Sequence, residues 1–249
     1  TEVMTSYIGD ALTDCVLVLF CDASFAGDLT GSKSTSGAIF CIMGPNTFCP
    51  ISWICKKQGA VSHSSTEAEV ISLDMAIRLE GKPALGLWQL ITEVMGGPSV
   101  KLCSTSSGPQ QFQAASSSCK ATRILSTVDY VPPNFQLSKI LVRLIIMEDN
   151  DAVIKMCNKG RSPNTRHVPR THRVDLDSLF ETMLHDKSIH MRFVGTKMQL
   201  ADVFTKRSFS ESSWKKLCAL LNIGPSYLLK AGPSVPKSSF CMCVRFRQY

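Results

Sequence analysis

Two apolar runs in this sequence end in acids, Leu19-Phe20-Cys21-Asp22 and Ile145-Ile146-Met147-Glu148-Asp149. A carboxylate that closes a buried strand is expensive to desolvate unless a cation offsets its charge. Oxygen donors with no His or Cys companion favour a hard ion such as Mg2+. Each acid taken singly also reads as an ordinary strand end at the surface. Two strands of this kind, together with Glu67 and Glu69 at the start of a helix, make that reading weaker. The second chemical feature is basic. Lys155, Lys159, Arg161, Arg166, Arg170 and Arg173, with His167 and His172, fall in one stretch close behind Asp149. Such a stretch suits phosphate tracking, although charge runs are also found on plainly solvated loops.

The elements that would carry these residues can be traced from periodicity. The run 15–21 is continuously apolar and reads as a strand buried on both faces. Turn chemistry follows at 23–34, where Gly-Asp-Leu-Thr-Gly (27–31) lacks the Lys-Ser/Thr ending of a phosphate loop. Strands are expected at 37–43 and 49–56, separated by Gly44-Pro45-Asn46, which predicts an antiparallel meander. Ser64-Ser-Thr-Glu67 fits a capping box, and Val70, Leu73 and Ile77 then recur at helical spacing. A second helical stretch runs over 84–95. Residues 104–118 are rich in Ser and Gln with almost nothing to bury, so they read as an insertion. A strand is expected at 141–149, a short helix at 150–158, a basic loop at 159–173, a helix at 174–185 and a strand at 189–194. Short helices at 199–206 and 211–221 complete the pattern.

Composition sets the outer limits. The 249 residues are 44% hydrophobic and 19% charged, which supports a sizeable core and excludes wholesale disorder. The formal charge of +7 tolerates polyanions without naming one. No stretch reaches the roughly 18 apolar residues of a membrane span. The first residues lack a signal segment and an initiator Met, so a piece of a longer protein is expected. The 11 cysteines include no C-x-x-C pair, and only Cys241-x-Cys243 approaches ligand spacing. They read as small hydrophobes in a reducing compartment. Trp53 and Trp88 read as core residues rather than base-stacking platforms.

Cys21-Asp-Ala-Ser-Phe-Ala-Gly-Asp-Leu29, Ser34-Thr-Ser-Gly37, Ile51-Ser-Trp53, Lys56-Lys-Gln58, Ser64-Ser-Thr-Glu-Ala-Glu69, Glu148-Asp-Asn150 and Gln199-Leu-Ala-Asp-Val-Phe-Thr-Lys206 follow one another in order. Together these blocks resemble the ribonuclease H region of copia-type retrotransposon polyproteins, over about residues 16–223. At His172-Arg-Val-Asp175 the sequence departs from the family's usual Lys-His-Ile-Asp. The resemblance implies an α/β fold, a ribonuclease H-like mixed sheet of about five strands (three antiparallel, then parallel) flanked by helices. It implies a domain at 15–224 with a Ser-rich insertion at about 98–139, preceded by an extension at 1–14, and Pro225, Gly232, Pro233 and Pro236 predict a disordered or irregular tail at 225–249.

The implied activity is cleavage of the RNA strand of an RNA:DNA hybrid with two Mg2+ ions, Mn2+ being a substitute. The family's acids match Asp22, Asp149 and Asp202, with Glu67 or Glu69 as the helix acid. With Ser64 as N-cap, Glu67 sits at N3 and its carboxylate should turn back to the cap. Glu69 lies beside the face packed on the sheet and is the expected fourth ligand. Lys159, Arg161, Arg166, Arg170 and Arg173 are the expected contacts to the hybrid. The expected partners are the hybrid and the reverse transcriptase domain of the same polyprotein, with no membrane. The expected place is inside the cell, in a cytoplasmic virus-like particle or the nucleus. Two rival readings remain: a catalytically degenerate remnant of a retroelement, and a metal-independent nucleic-acid-binding module.

Overall fold

The computed structural model describes residues 2–96, 142–160, 165, 167–225 and 240–245. The Ser-rich segment, Arg161 and Arg166 lie outside these residues, and so does the rest of the tail. The strands are β1 (Glu2–Ile8), β2 (Val16–Ser24), β3 (Thr35–Gly44), β4 (Thr47–Lys57), β5 (Leu144–Glu148), β6 (Ile189–Phe193), β7 (Ile223–Pro225) and β8 (Phe240–Arg245). The helices are α1 (Ser65–Ala76), α2 (Lys82–Gly96), α3 (Asp151–Lys159), α4 (Val168–His172), α5 (Leu176–His185), α6 (Asp202–Thr205) and α7 (Glu211–Leu220). A π turn, Ile77–Gly81, joins α1 to α2.

The strands form one mixed sheet in the order β6-β5-β2-β3-β4-β1-β7, with β8 also paired to β1. The meander expected from the sequence is β2-β3-β4, antiparallel throughout. β2 and β5 lie side by side in parallel, Leu17 opposite Leu144 and Phe20 opposite Met147. β6 continues in parallel from β5.

The sheet is larger than the five strands expected. Residues 2–8 are not an appendage but strand β1, paired antiparallel with β4, β7 and β8. The tail expected to be irregular supplies β8. Within the basic loop, α4 forms with Pro169 in its first turn, where a missing N–H costs nothing.

Helices cover both faces of the sheet. Strand side chains alternate between faces. Leu17, Leu19, Leu144 and Ile146 pack on Val70, Leu73, Ala76 and Trp88 of α1 and α2, and on α3 and α5 through Val153, Ile154, Leu179 and Phe180. Val18, Phe20, Ile145 and Met147 pack on Leu200, Ala201, Leu217 and Leu221 on the opposite side. Cys15, Cys21, Cys41, Cys49 and Cys157 are buried free thiols. Trp88 is in the core, but Trp53 is 43% exposed, in the half of β4 that is mostly exposed. No helix among the described residues is long and apolar enough to cross a membrane.

Candidate metal centre

The site lies where β2 and β5 end. Asp22 is the last buried residue of β2, and Glu148 is the last residue of β5, with Asp149 immediately after it. Because β2 and β5 are parallel neighbours, their two acidic ends come out together. Ligand-binding crevices of open α/β sheets lie at such carboxyl ends.

Glu69 arrives from α1. The helix starts at Ser64, whose Oγ accepts from the Glu67 amide at 3.1 Å. It is fixed to the end of β2 by Ser72, whose hydroxyl donates to the Asp22 carbonyl at 2.7 Å. Gln58 supports the same helix from β4's end, donating Nε2–H to the Ala68 carbonyl at 2.8 Å and to Ser36 Oγ at 2.9 Å. Asp202 arrives from α6, whose approach is set by Gln199, donating Nε2–H to the Cys21 carbonyl at 2.8 Å. Asp22 receives the Thr205 hydroxyl, and Asp202 pairs with Lys206.

Electrostatics links the acids into one group. The Glu69 carboxyl is raised to about 10, chiefly by burial and then by the charges of Glu148, Asp22 and Asp149. Glu148, fully enclosed, is raised well above the carboxylate range by burial, and Asp149 and Asp22 add to the shift against the pull of the Asn150 amide. Asp22 is raised by burial and by Asp149, the Thr205 hydroxyl and Lys206 pulling the other way. Asp202 is raised to about 6, again chiefly by burial, then by Asp22 and Asp149 against its contact with Lys206. The Cys21 thiol, enclosed beside Glu148, Glu69 and Asp22, is also held well up by burial.

Asp22, Glu69, Asp149 and Asp202 are thus electrostatic neighbours, although they come from four separate parts of the chain. Glu148 joins them, and the sequence reading passed over it in favour of Asp149. Its signal was the period-two alternation. Leu144 and Ile146 face α1, so Glu148 does too. Glu67 turns away from the group. Its Oε2 accepts from the amide of His63, one residue before the cap, at 3.0 Å, and not from the cap amide expected. The expected nucleic-acid contacts Arg170 and Arg173 are exposed on and just after α4, and Lys159 is exposed at the end of α3.

A hard cation suits this donor set. Every donor is a carboxylate oxygen, and Glu69 Oε2, Glu148 Oε2 and Asp202 Oδ1 are buried with no hydrogen-bond partner. Among the described residues, no three His, Cys, Asp or Glu side chains already stand in the arrangement that grips a metal ion.

No model of a known protein family matches the chain, and no solved structure matches it. A stretch of 60 residues is 45% identical to "Secreted RxLR effector protein 161" of Plasmopara viticola, covering 24% of this chain and 39% of that protein. The chain therefore matches well under half the length of that relative.

Proposed function

We propose that the chain is a ribonuclease H-like endonuclease domain of a copia-type retrotransposon polyprotein, cutting the RNA strand of RNA:DNA hybrids with Mg2+. The observation that carries this reading is the electrostatic linkage of Asp22, Glu69, Asp149 and Asp202 around the carboxyl ends of two central parallel strands, each raising the pKa of another or being raised by it. The mixed sheet, with an antiparallel meander followed by two parallel strands, supports it.

When bound, a pair of Mg2+ ions supplies an activated water and stabilises the leaving 3′ oxygen. Asp22, Glu69, Asp149 and Asp202 would hold the ions, with Glu148 behind them. Glu69 keeps its proton at neutral pH in the metal-free protein, so it must release that proton on becoming a ligand. Lys206 offsets the charge of Asp202 until then. The exposed arginines of the basic segment would track the hybrid's phosphates, and the 2′-OH would distinguish RNA from DNA. On this reading the neighbouring partner is a reverse transcriptase domain of the same polyprotein, and the setting is a cytoplasmic particle or the nucleus.

A labelled hybrid incubated with the purified chain tests the proposal. The RNA strand should be cut with Mg2+ and spared with chelator, single-stranded RNA and duplex DNA being untouched. Cutting that persists in excess chelator would overturn it.

One observation favours a second reading, a catalytically silent remnant. Thr205 and Lys206 already engage Asp22 and Asp202, and no three-residue grip is preformed among the described residues. A silent protein would show neither cleavage nor a rise in melting temperature with Mg2+.

A further inference from the structure

Glu67 is buried, its side chain 3% exposed, and it faces two histidines from the basic segment. His172 Nε2 stands 3.1 Å from Glu67 Oε1, an ion-pair distance without hydrogen-bond geometry, with the His172 side chain 2% exposed. His167 Nε2 stands 3.1 Å from Glu67 Oε2. His63 completes the cluster: its amide donates to Glu67 Oε2, and its ring meets the His167 ring edge-on with centroids 5.0 Å apart. A carboxylate is an acceptor only, so His167, in bonding to it, must present an Nε2–H. Burying a carboxylate without such donors costs several kcal/mol in general.

The same segment is fixed at two further points. Val168 is fully buried in the core. Arg173 ends α4 with φ 56°, a left-handed conformation that a non-glycine residue keeps only when its surroundings enforce it. Val174, buried, and Asp175, the N-cap of α5, hold the chain beyond it. What this framework leaves outside is Pro169, Arg170, Thr171 and Arg173, all exposed.

We infer that Glu67, through His167 and His172, is a positioning residue that fastens the basic segment to the first turn of α1, so that Arg170 and Arg173 are presented to the phosphate backbone of a nucleic acid. The inference rests on the nuclease reading for the identity of the polyanion. Glu69, two residues along the same helix, then has a fixed relation to those arginines. The two histidines of the basic segment act inward, as the fastening.

The test measures hybrid binding in an Asp149→Asn background, where no cleavage interferes. Glu67→Ala should weaken binding and lower the slope of log K against log salt by about 1–2, as expected for one or two lost phosphate contacts. The Arg170→Ala, Arg173→Ala pair should do the same. Combining all three changes should add nothing further, because Glu67 acts through the arginines. Should Glu67→Ala not fold, Glu67→Gln and His172→Ala, each removing one side of the fastening, read the same cycle. In the otherwise unaltered chain with Mg2+, KM should rise while kcat is held. Additive losses in the cycle, an unchanged salt slope, or a collapse of kcat at constant KM would overturn the proposal. Cleavage that fails while the cycle holds would instead count against the nuclease reading alone.

Discussion

The charge of Asp149 raises the pKa of Asp22, Glu69, Glu148 and Asp202 alike. Asp149→Asn should therefore abolish cleavage while the metal-free protein melts no lower than the parent, since one source of repulsion is gone. Mg2+ should raise the parent's melting temperature through native-state binding and raise the variant's less. Equal stabilisation of both would show Asp149 to be a plain strand end. The raised carboxyls also set a pH trend. From the ordinary carboxylate value up to about 10, folded Glu69 holds a proton that the unfolded chain has lost. The native state then binds more protons, so metal-free stability should fall as pH rises through that window. Asp202 contributes in the same direction up to about 6. Glu69→Gln should flatten the slope in melts taken from pH 5 to 9, and an unflattened slope would place the effect elsewhere. At this scale the sequence disclosed the acids that close apolar runs, because a charge at the end of a buried strand stands out. It hid Glu148 behind its acidic neighbour, and it hid Thr205 because a hydroxyl in a short helix carries no pattern.

Gly37 on β3 stands opposite Asp22, and a Cβ there would meet Thr205 Cγ2 at 2.6 Å and Phe204 Cβ at 3.1 Å. The close approach of α6 to the sheet depends on that missing methyl. Gly37→Ala should cost about 1–3 kcal/mol by overpacking and should reduce cleavage, because α6 carries Asp202. Gly59→Ala, where a Cβ meets nothing within 4 Å, serves as the control in the same melts and assays. Gln58 makes a comparable tie between β4 and α1, and Ser62 donates its hydroxyl to Gln58 Oε1 at 2.9 Å. Gln58→Ala should cost about 1–3 kcal/mol for buried groups left unpaired, read as a lower denaturant midpoint. The meander and α1 were legible because continuous apolar runs and a capping box mark them directly. β1 was not, since Thr5 and Ser6 are buried polar residues that interrupt its apolar signal, and β7 and β8 lie far along the chain. α4 was concealed by Pro169, which reads as a breaker but sits in a first turn.

Across the whole molecule, β2 joins an antiparallel half to a parallel half, and that pairing has a consequence in time. β2, β3 and β4 are neighbours in sequence and need only short turns to associate, whereas Leu17 must find Leu144 across most of the domain. Non-local parallel pairing is slow because the intervening chain must close before any contact rewards it. Asp202 joins later still, after β6 is laid down. During synthesis, a chain stalled before α6 would own most of the sheet but no complete set of acids, and so, on the nuclease reading, could not cut nucleic acid. In refolding from denaturant, far-UV circular dichroism should therefore recover ahead of the Mg2+-induced gain in protease resistance. Coincident traces would mean that sheet and site form in one step.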